Sequence, residues 1–130
     1  MINILILSHS KDLAKGLYDL TSQMASDVKI DYWGGTEEGE LGSDFEKINE
    51  KIINLSSNDD QLIIIFDLGS SMMNAQMALE MLDPEVQDRL LLADLPMVEG
   101  CVDLAMQVQT GTSFEDIKTY VEKNKYGKLS

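Results

Sequence analysis

The chain has 130 residues, of which 44% are apolar and 25% charged, a balance typical of a soluble globular domain with one hydrophobic core. Lysine and arginine total 10 against 23 aspartate and glutamate, a net charge of −13 that argues against nucleic acid as a ligand. No apolar run approaches the roughly 18 residues that span a bilayer, so we expect no membrane segment. The one cysteine, Cys101, forms no internal disulfide and fits a cytoplasmic location.

The first predicted element is a buried strand over residues 1–7, because this run is almost wholly apolar. Ser8-His9-Ser10 follows the strand and precedes a helical pattern over residues 11–25. Ser10 is the predicted N-cap of that helix. The apolar residues predicted to share one helical face are Leu13, Leu17, Leu20 and Met24.

A shorter strand is predicted over residues 28–33, followed by a glycine-dense loop over residues 34–42. Within the loop, Gly35 and Thr36 form either a plain turn or part of a partner-docking rim. Ser43 is predicted to open the second helix as a capping box with Glu46.

The most apolar, β-branched stretch covers residues 61–67 and predicts a strand in the middle of a sheet. A turn through Leu68-Gly69-Ser70-Ser71 leads into a helix over about residues 71–82, in which Met77 and Met81 have the spacing of core residues. The remaining predictions are a break at Asp83-Pro84, a strand over 90–93, a helix over 96–109 and a final helix capped by Ser113 with Phe114, Ile117 and Val121 inward.

This alternation of strands and helices predicts an α/β fold, with an open, mostly parallel four-stranded sheet in the order 2-1-3-4 and helices on both faces, as in flavodoxin-like proteins. We expect one domain over residues 1–125 and a flexible tail over residues 126–130. A sheet this narrow exposes an edge, which favours cover or dimerisation.

His9 is the only histidine and lies at the predicted carboxyl end of the first strand, where ligands gather in open parallel sheets. One histidine and one cysteine are too few for a zinc site, and the glycine-rich turns match neither nucleotide-binding motif. A Ser-His-Asp hydrolase is conceivable but lacks a nucleophile elbow. The remaining chemistry is a histidine nucleophile that carries a phosphoryl group on one ring nitrogen.

Such a site needs an acceptor for the other ring nitrogen and donors for the phosphoryl oxygens. Asp67, at the end of the third strand, is the candidate acceptor, with a cap for the following helix as its alternative role. The candidate phosphoryl-binding residues are Ser10, Gly69, Ser70 and Ser71. The candidate docking residues, with core packing as their alternative role, are Met72, Met73 and Met97.

With these residues assembled, the chain resembles the mannose-type IIA family of the sugar phosphotransferase system. Within that family it resembles the phosphocarrier subunits of phosphoenolpyruvate-dependent dihydroxyacetone kinases. The resemblance extends to about residue 125, and its motifs are Ser8-His9-Ser10, Leu13-Ala14-Lys15-Gly16, Gly34-Gly35-Thr36, the run from Asp67 to Asn74, and Pro96-Met97-Val98-Glu99-Gly100.

The resemblance implies that His9 accepts a phosphoryl group from the carrier HPr as a tele-phosphohistidine, oriented by Asp67. The group then passes to ADP held in the nucleotide-binding subunit of the kinase. It also implies a cytoplasmic homodimer that needs no cofactor or metal. Two alternatives stay open: a IIA domain that phosphorylates the IIB domain of a mannose-type sugar transporter, and a non-enzymatic receiver or flavin-binding module. Gly42-Ser43-Asp44 departs from the family pattern.

Overall fold

Four strands of mostly buried aliphatic residues form the centre of the protein in the computed structural model, which describes residues 1–128. In chain order the elements are β1 (Ile2–Ser8), α1 (Lys11–Met24), β2 (Ile30–Gly34), α2 (Phe45–Leu55), β3 (Gln61–Phe66), α3 (Gly69–Glu80), α4 (Pro84–Gln87), β4 (Leu90–Ala93), α5 (Met97–Gln109) and α6 (Phe114–Lys123). The four predicted strands are all present, and α4 is a short additional helix that begins at the predicted proline break.

The strands lie in the order β2-β1-β3-β4, and each neighbouring pair is parallel. The predicted sheet order is therefore confirmed. In this order β1 and β3 are neighbours in the middle of the sheet, with Leu7 beside Phe66. Because their carboxyl ends lie together, the turn after β1 is brought next to the turn after β3.

Alternate residues of β1 and β3 enter two separate apolar layers, one on each face of the sheet. The first layer joins Ile4, Ile6, Ile63 and Ile65 to buried residues of α1, α5 and α6. The second joins Leu5, Leu7, Ile64 and Phe66 to buried residues of α2 and α3. The predicted placement of helices on both faces is confirmed.

The buried face of α1 differs from the prediction. Leu13, Leu20 and Met24 are 44%, 46% and 46% exposed, so three of the four predicted core residues lie on the surface. The buried side chains of the helix are Ala14, Leu17 and Thr21. Small side chains let the helix pack closely on its neighbours, and the larger apolar residues beside them are turned outward.

Helix α3 shows the same departure. Met77 and Met81, predicted as core, are 53% and 70% exposed. The helix also begins at residue 69, two residues earlier than predicted. Its buried side chains are Ser71, Ala75 and Ala78. The spacing that identified a helix was correct, but the prediction favoured large apolar residues where small ones make the contact.

Three of the long helices have a side-chain cap at their N-terminus. Ser10 caps α1 and Ser113 caps α6, as predicted, each accepting a hydrogen bond from the backbone N–H three residues on. The predicted cap of α2 is wrong by one residue, since Asp44 rather than Ser43 accepts from the Lys47 N–H at 3.2 Å.

Residues 126–128 contact the end of β4. The backbone N–H of Tyr126 donates to the Asp94 carbonyl, and those of Gly127 and Lys128 donate to the Asp94 carboxylate. Residues 129 and 130, which belong to the predicted tail, lie outside the described residues. Among the helices described, none is long and apolar enough to cross a membrane.

Candidate functional site

The candidate site lies where β1 and β3 end side by side. The Asp67 N–H donates to the carbonyl of Leu7 at 3.2 Å, which extends the pairing of the two strands by one step. His9 follows β1 and Asp67 follows β3, so the sheet order alone brings the two residues together. Their side chains are 22% and 14% exposed, and the site is therefore half-buried.

The Asp67 carboxylate accepts hydrogen bonds on both oxygens. Oδ2 accepts from the His9 backbone N–H and the Ser8 hydroxyl, both at 2.9 Å. Oδ1 accepts from the Leu68 N–H at 2.7 Å and from the Ser71 hydroxyl at 3.4 Å, and lies 3.1 Å from His9 Nδ1. Burial raises the pKa of Asp67, but the hydrogen bonds from His9, Ser8 and Leu68 outweigh it, so the net pKa is lowered.

The contact with Asp67 determines which nitrogen of His9 carries the proton. A carboxylate only accepts, so the Nδ1 atom that faces Oδ1 is the protonated one in the neutral ring. Nε2 then keeps its lone pair and accepts a hydrogen bond from the hydroxyl of Ser70. Only Nε2 is consequently left as a nucleophile.

The start of α3 lies beside the His9 ring and is not capped by a side chain. Its N-cap residue, Leu68, is 57% exposed and offers no hydrogen-bonding group on its side chain. Within residues 1–128, the N–H groups of Gly69 and Ser70 have no hydrogen-bond acceptor. A helix N-terminus with free N–H groups attracts anions. This turn is thus suited to hold phosphoryl oxygens close to Nε2.

The start of α1 lies on the other side of His9 and is capped. The Ser10 hydroxyl accepts from the Leu13 N–H at 3.2 Å, and the Ser10 N–H donates to the Ser8 hydroxyl at 3.0 Å. The hydroxyl proton of Ser10 remains available to a ligand, since capping uses only the oxygen lone pair. Ser10 can therefore donate a single hydrogen bond to a ligand.

The loop after β2 is fixed to the chain around His9. The Gly35 N–H donates to the Ser8 carbonyl at 3.1 Å, and the Gly42 N–H donates to the His9 carbonyl at 2.9 Å. Gly35 has a φ of +76°, and a Cβ on Gly34 would lie 2.4 Å from the Ser10 carbonyl oxygen. These contacts give the two glycines a structural role in the loop. Thr36 lines a surface cavity together with Lys11 and Trp33.

The three methionines predicted to form one docking surface lie apart. Met72 packs partly buried on the layer with α2 and α3, whereas Met97 packs on the opposite layer with α1 and α5. Met73 is 56% exposed beside the start of α3. The structure brings Ser10, Gly69, Ser70 and Ser71 around the His9–Asp67 pair but does not bring Met97 next to Met72.

Ser8 is the residue that the sequence-based interpretation passed over. It is 3% exposed, and its hydroxyl both donates to Asp67 Oδ2 and accepts from the Ser10 N–H. The sequence feature that could have identified Ser8 is the position of its hydroxyl directly before His9, at the end of a strand. A buried serine of this kind fixes the carboxylate and the backbone of the turn at once.

Comparisons with known proteins give a consistent result. The family model EIIA-man, described as the PTS system fructose IIA component, matches residues 3–118. The phosphoryl donor subunit DhaM of PEP-dependent dihydroxyacetone kinase 1 from Listeria innocua is 39% identical over 106 residues, 82% of this chain and 81% of its own. The phosphotransferase subunit DhaM of the PTS-dependent dihydroxyacetone kinase from Lactococcus lactis is 35% identical over 120 residues, 92% of this chain and 93% of its own.

A solved structure has the same architecture. The crystal structure of EF1359, a protein described as of unknown function, superposes with a TM-score of 0.82 at 32% sequence identity. The match covers 93% of this chain and 92% of that one. The fold around the His9–Asp67 pair is thus shared over almost the full length.

Proposed function

Since the chain belongs to the EIIA-man family of phosphotransferase-system IIA components, we propose that it is the phosphoryl donor subunit of a phosphoenolpyruvate-dependent dihydroxyacetone kinase. The names of the relatives from Listeria innocua and Lactococcus lactis support this branch of the family. The observation that carries the mechanism is the hydrogen bond between Asp67 and His9 Nδ1, which leaves Nε2 as the nucleophile.

In the proposed reaction, His9 Nε2 attacks the phosphorus of a phosphorylated donor. An Nε2–P bond forms as the donor's own bond to phosphorus breaks, and the electron pair of the broken bond stays on the donor. The His9 ring becomes positively charged while its Nδ1 proton remains hydrogen-bonded to Asp67. A carboxylate held at 3.1 Å stabilises that positive charge, which is the orienting role we assign to Asp67.

Ser70 has two successive roles in this mechanism. In the resting protein its hydroxyl donates to Nε2 and occupies the position where phosphorus must arrive. A rotation about its χ1 angle frees Nε2 and turns the same hydroxyl toward the phosphoryl oxygens. The free N–H groups of Gly69 and Ser70 and the Ser10 hydroxyl complete the set of donors, and the Ser71 hydroxyl joins them when it leaves Asp67 Oδ1.

We propose HPr as the donor and ADP bound in the nucleotide-binding kinase subunit as the acceptor. Gly35, Thr36, Met72, Met73 and Met97 stay candidates for docking these partners, and Met73 is the exposed methionine among them. A net charge of −13 favours encounter with partners that present basic faces. Such a carrier would work in the cytoplasm, and we propose that it is a homodimer, which sedimentation measurements test.

The acceptor assignment is tested by discharging the phosphorylated protein. The labelled protein is mixed either with the ADP-bearing kinase subunit or with the IIB domain of a mannose-type sugar transporter. We expect label to leave the protein and appear in ATP with the first acceptor only. Loss of label to the IIB domain alone would contradict the proposed branch.

The second candidate, a IIA domain of a sugar transporter, is favoured by one observation. The family model that matches residues 3–118 is described as a fructose IIA component. The chemistry at His9 would be the same in both cases, so only the acceptor distinguishes them. Membership of this family favours either phosphocarrier over a receiver or flavin-binding module.

A further inference from the structure

The side chain of Lys128 reaches the end of β3, next to the His9–Asp67 site. Residues 126–128 are held against the end of β4 by Asp94, which is only 7% exposed and accepts from the N–H groups of Gly127 at 3.0 Å and Lys128 at 3.2 Å. These bonds direct the Lys128 side chain across the end of the sheet from β4 to β3.

The Lys128 ammonium group ends next to the last residue of β3. Nζ donates to the Phe66 carbonyl oxygen and lies 4.6 Å from the centre of the Phe66 ring. Phe66 directly precedes Asp67, whose carboxylate faces His9. Lys128 therefore lies against the backbone that leads into Asp67, close enough for the charges of Lys128 and Asp67 to interact.

This lysine is placed where an ammonium group is costly. Burial lowers the pKa of Lys128, although Asp94 and Asp67 act to raise it. Within residues 1–128, no carboxylate oxygen comes within ion-pair distance of its Nζ. The hydrogen bond and ring contact with Phe66 are offset by the cost of burying the charge, so the net contribution of Lys128 to folding is small. A role in the site explains its position better than a role in stability.

Building on the proposed function, we propose that Lys128 is a positioning residue for phosphoryl transfer. It fixes the end of β3 at Phe66, and its positive charge offsets the repulsion between the Asp67 carboxylate and the incoming phosphoryl group. Lys128 lies outside residues 3–118, the part of the chain matched by the family model.

The test compares Lys128→Met, which keeps the aliphatic stem, with Lys128→Arg and with Lys125→Met. Lys125 carries the same charge in the same segment but pairs with Glu122 on the surface. We expect Lys128→Met to slow phosphorylation of the protein by roughly three- to ten-fold, the effect of one charge at intermediate distance. Lys128→Arg should keep most of the rate, and Lys125→Met all of it.

Two further measurements separate positioning from a structural role. Lys128→Met should leave the urea midpoint unchanged or raise it, because a partly buried charge is removed. It should also move the acid titration of the Asp67 carboxyl, followed by 13C NMR, to higher pH than in Lys125→Met. The charged and titratable groups that influence this titration, besides Lys128, are Asp67 and His9 at the ends of β3 and β1 and Asp94 at the end of β4.

The outcomes distinguish this inference from the proposed function. Equal rates and equal Asp67 titrations in Lys128→Met and Lys125→Met would overturn the role of Lys128 while leaving the carrier function intact. A loss of rate accompanied by an equivalent loss of stability would overturn it too. If the unmodified chain is not phosphorylated at all, the carrier function fails, and the NMR titration alone then decides whether Lys128 acts on Asp67.

Discussion

The two strand-to-helix turns that form the site differ in how their helices begin. After β1, the Ser10 hydroxyl caps α1 and uses the Leu13 N–H. After β3, no side chain caps α3, and the N–H groups of Gly69 and Ser70 have no acceptor among the described residues. Asp67, the obvious acidic cap of the second turn, is used mainly to hold His9 and Ser8.

In the proposed carrier, the turn after β1 holds the nucleophile and the turn after β3 binds the phosphoryl group. An uncapped helix start lowers stability, since unpaired N–H groups and an exposed leucine replace a capping residue worth about 1 kcal/mol. The same free N–H groups are what an arriving phosphoryl group requires. We therefore expect the first turn to be the more rigid and the second to bind the ligand.

The largest effect should come from Asp67→Asn. An asparagine presents one donor and one acceptor where two acceptors are needed, so either His9 Nδ1 or the Ser8 and His9 donors lose their partner. We expect phosphorylation to slow by roughly 10²-fold or more, because the ring no longer holds the productive tautomer. Rapid-quench kinetics with phosphorylated HPr measures the rate.

The control for that variant is Asp60→Asn, which changes a carboxylate hydrogen-bonded to Asn3 at the opposite, amino end of the central strands. Asp60→Asn should leave the phosphorylation rate unchanged. Wild-type kinetics in Asp67→Asn would contradict the orienting role of the carboxylate. It would also remove the proposed functional difference between the two turns.

Gly69→Pro tests the uncapped turn itself. Gly69 is the first helical residue of α3, a position that accepts proline, and Leu68 has the extended φ and ψ of −122° and 161° that precede one. Only one N–H group is lost, and we expect transfer to slow by roughly 10-fold to 100-fold with the helix preserved. Gly69→Ala keeps the N–H and should keep the rate; equal slowing in both variants would mean that steric change, not the N–H group, is responsible.

Ser10→Ala tests the capped turn, with Ser113→Ala as its counterpart on α6. Each variant should lose about 1 kcal/mol of unfolding free energy in urea denaturation. Only Ser10→Ala should also slow transfer, by roughly two- to ten-fold, through loss of one hydroxyl donor. Equal rates in the two variants would confine Ser10 to capping.

The smallest expected effect is on acid stability. The pKa of Asp67 in the folded protein is below the ordinary value of 3.8, so the unfolded chain takes up this proton first as the pH falls. The stability supplied by Asp67 is therefore present above that value and is lost as the pH falls through the folded pKa. The difference in unfolding free energy between the unmodified chain and Asp67→Asn should shrink below pH ~4; a difference constant with pH would show that the carboxylate is not stabilised by these donors.

The sheet could be predicted because its signal is local. Residues 1–7 and 61–67 are short, continuous apolar runs typical of strands buried on both faces, and their parallel arrangement follows from the alternation with helices. His9 and Asp67 could be paired for the same reason, since both follow central strands. Polar residues that follow adjacent central strands lie close together, so this pairing could be predicted without knowledge of other tertiary contacts.

The remaining features depend on contacts that no local pattern contains. Small residues such as Ala14 and Ala75 face the sheet, so the larger Leu13 and Met77 beside them were wrongly predicted as core. The approach of Lys128 to Phe66 joins residues 62 positions apart through a bend fixed by Asp94. Helix phase and terminal contacts are set by packing, which a one-dimensional pattern does not record.

The most direct test of the central claim is phosphorylation of His9. The protein is incubated with phosphoenolpyruvate, Enzyme I and HPr, and the adduct is followed by intact-mass spectrometry and 31P NMR. Because the chain has a single histidine, we predict one acid-labile phosphoryl group, bonded to Nε2 and absent from His9→Ala. No adduct in the unmodified protein, or an adduct that persists in His9→Ala, would contradict the account.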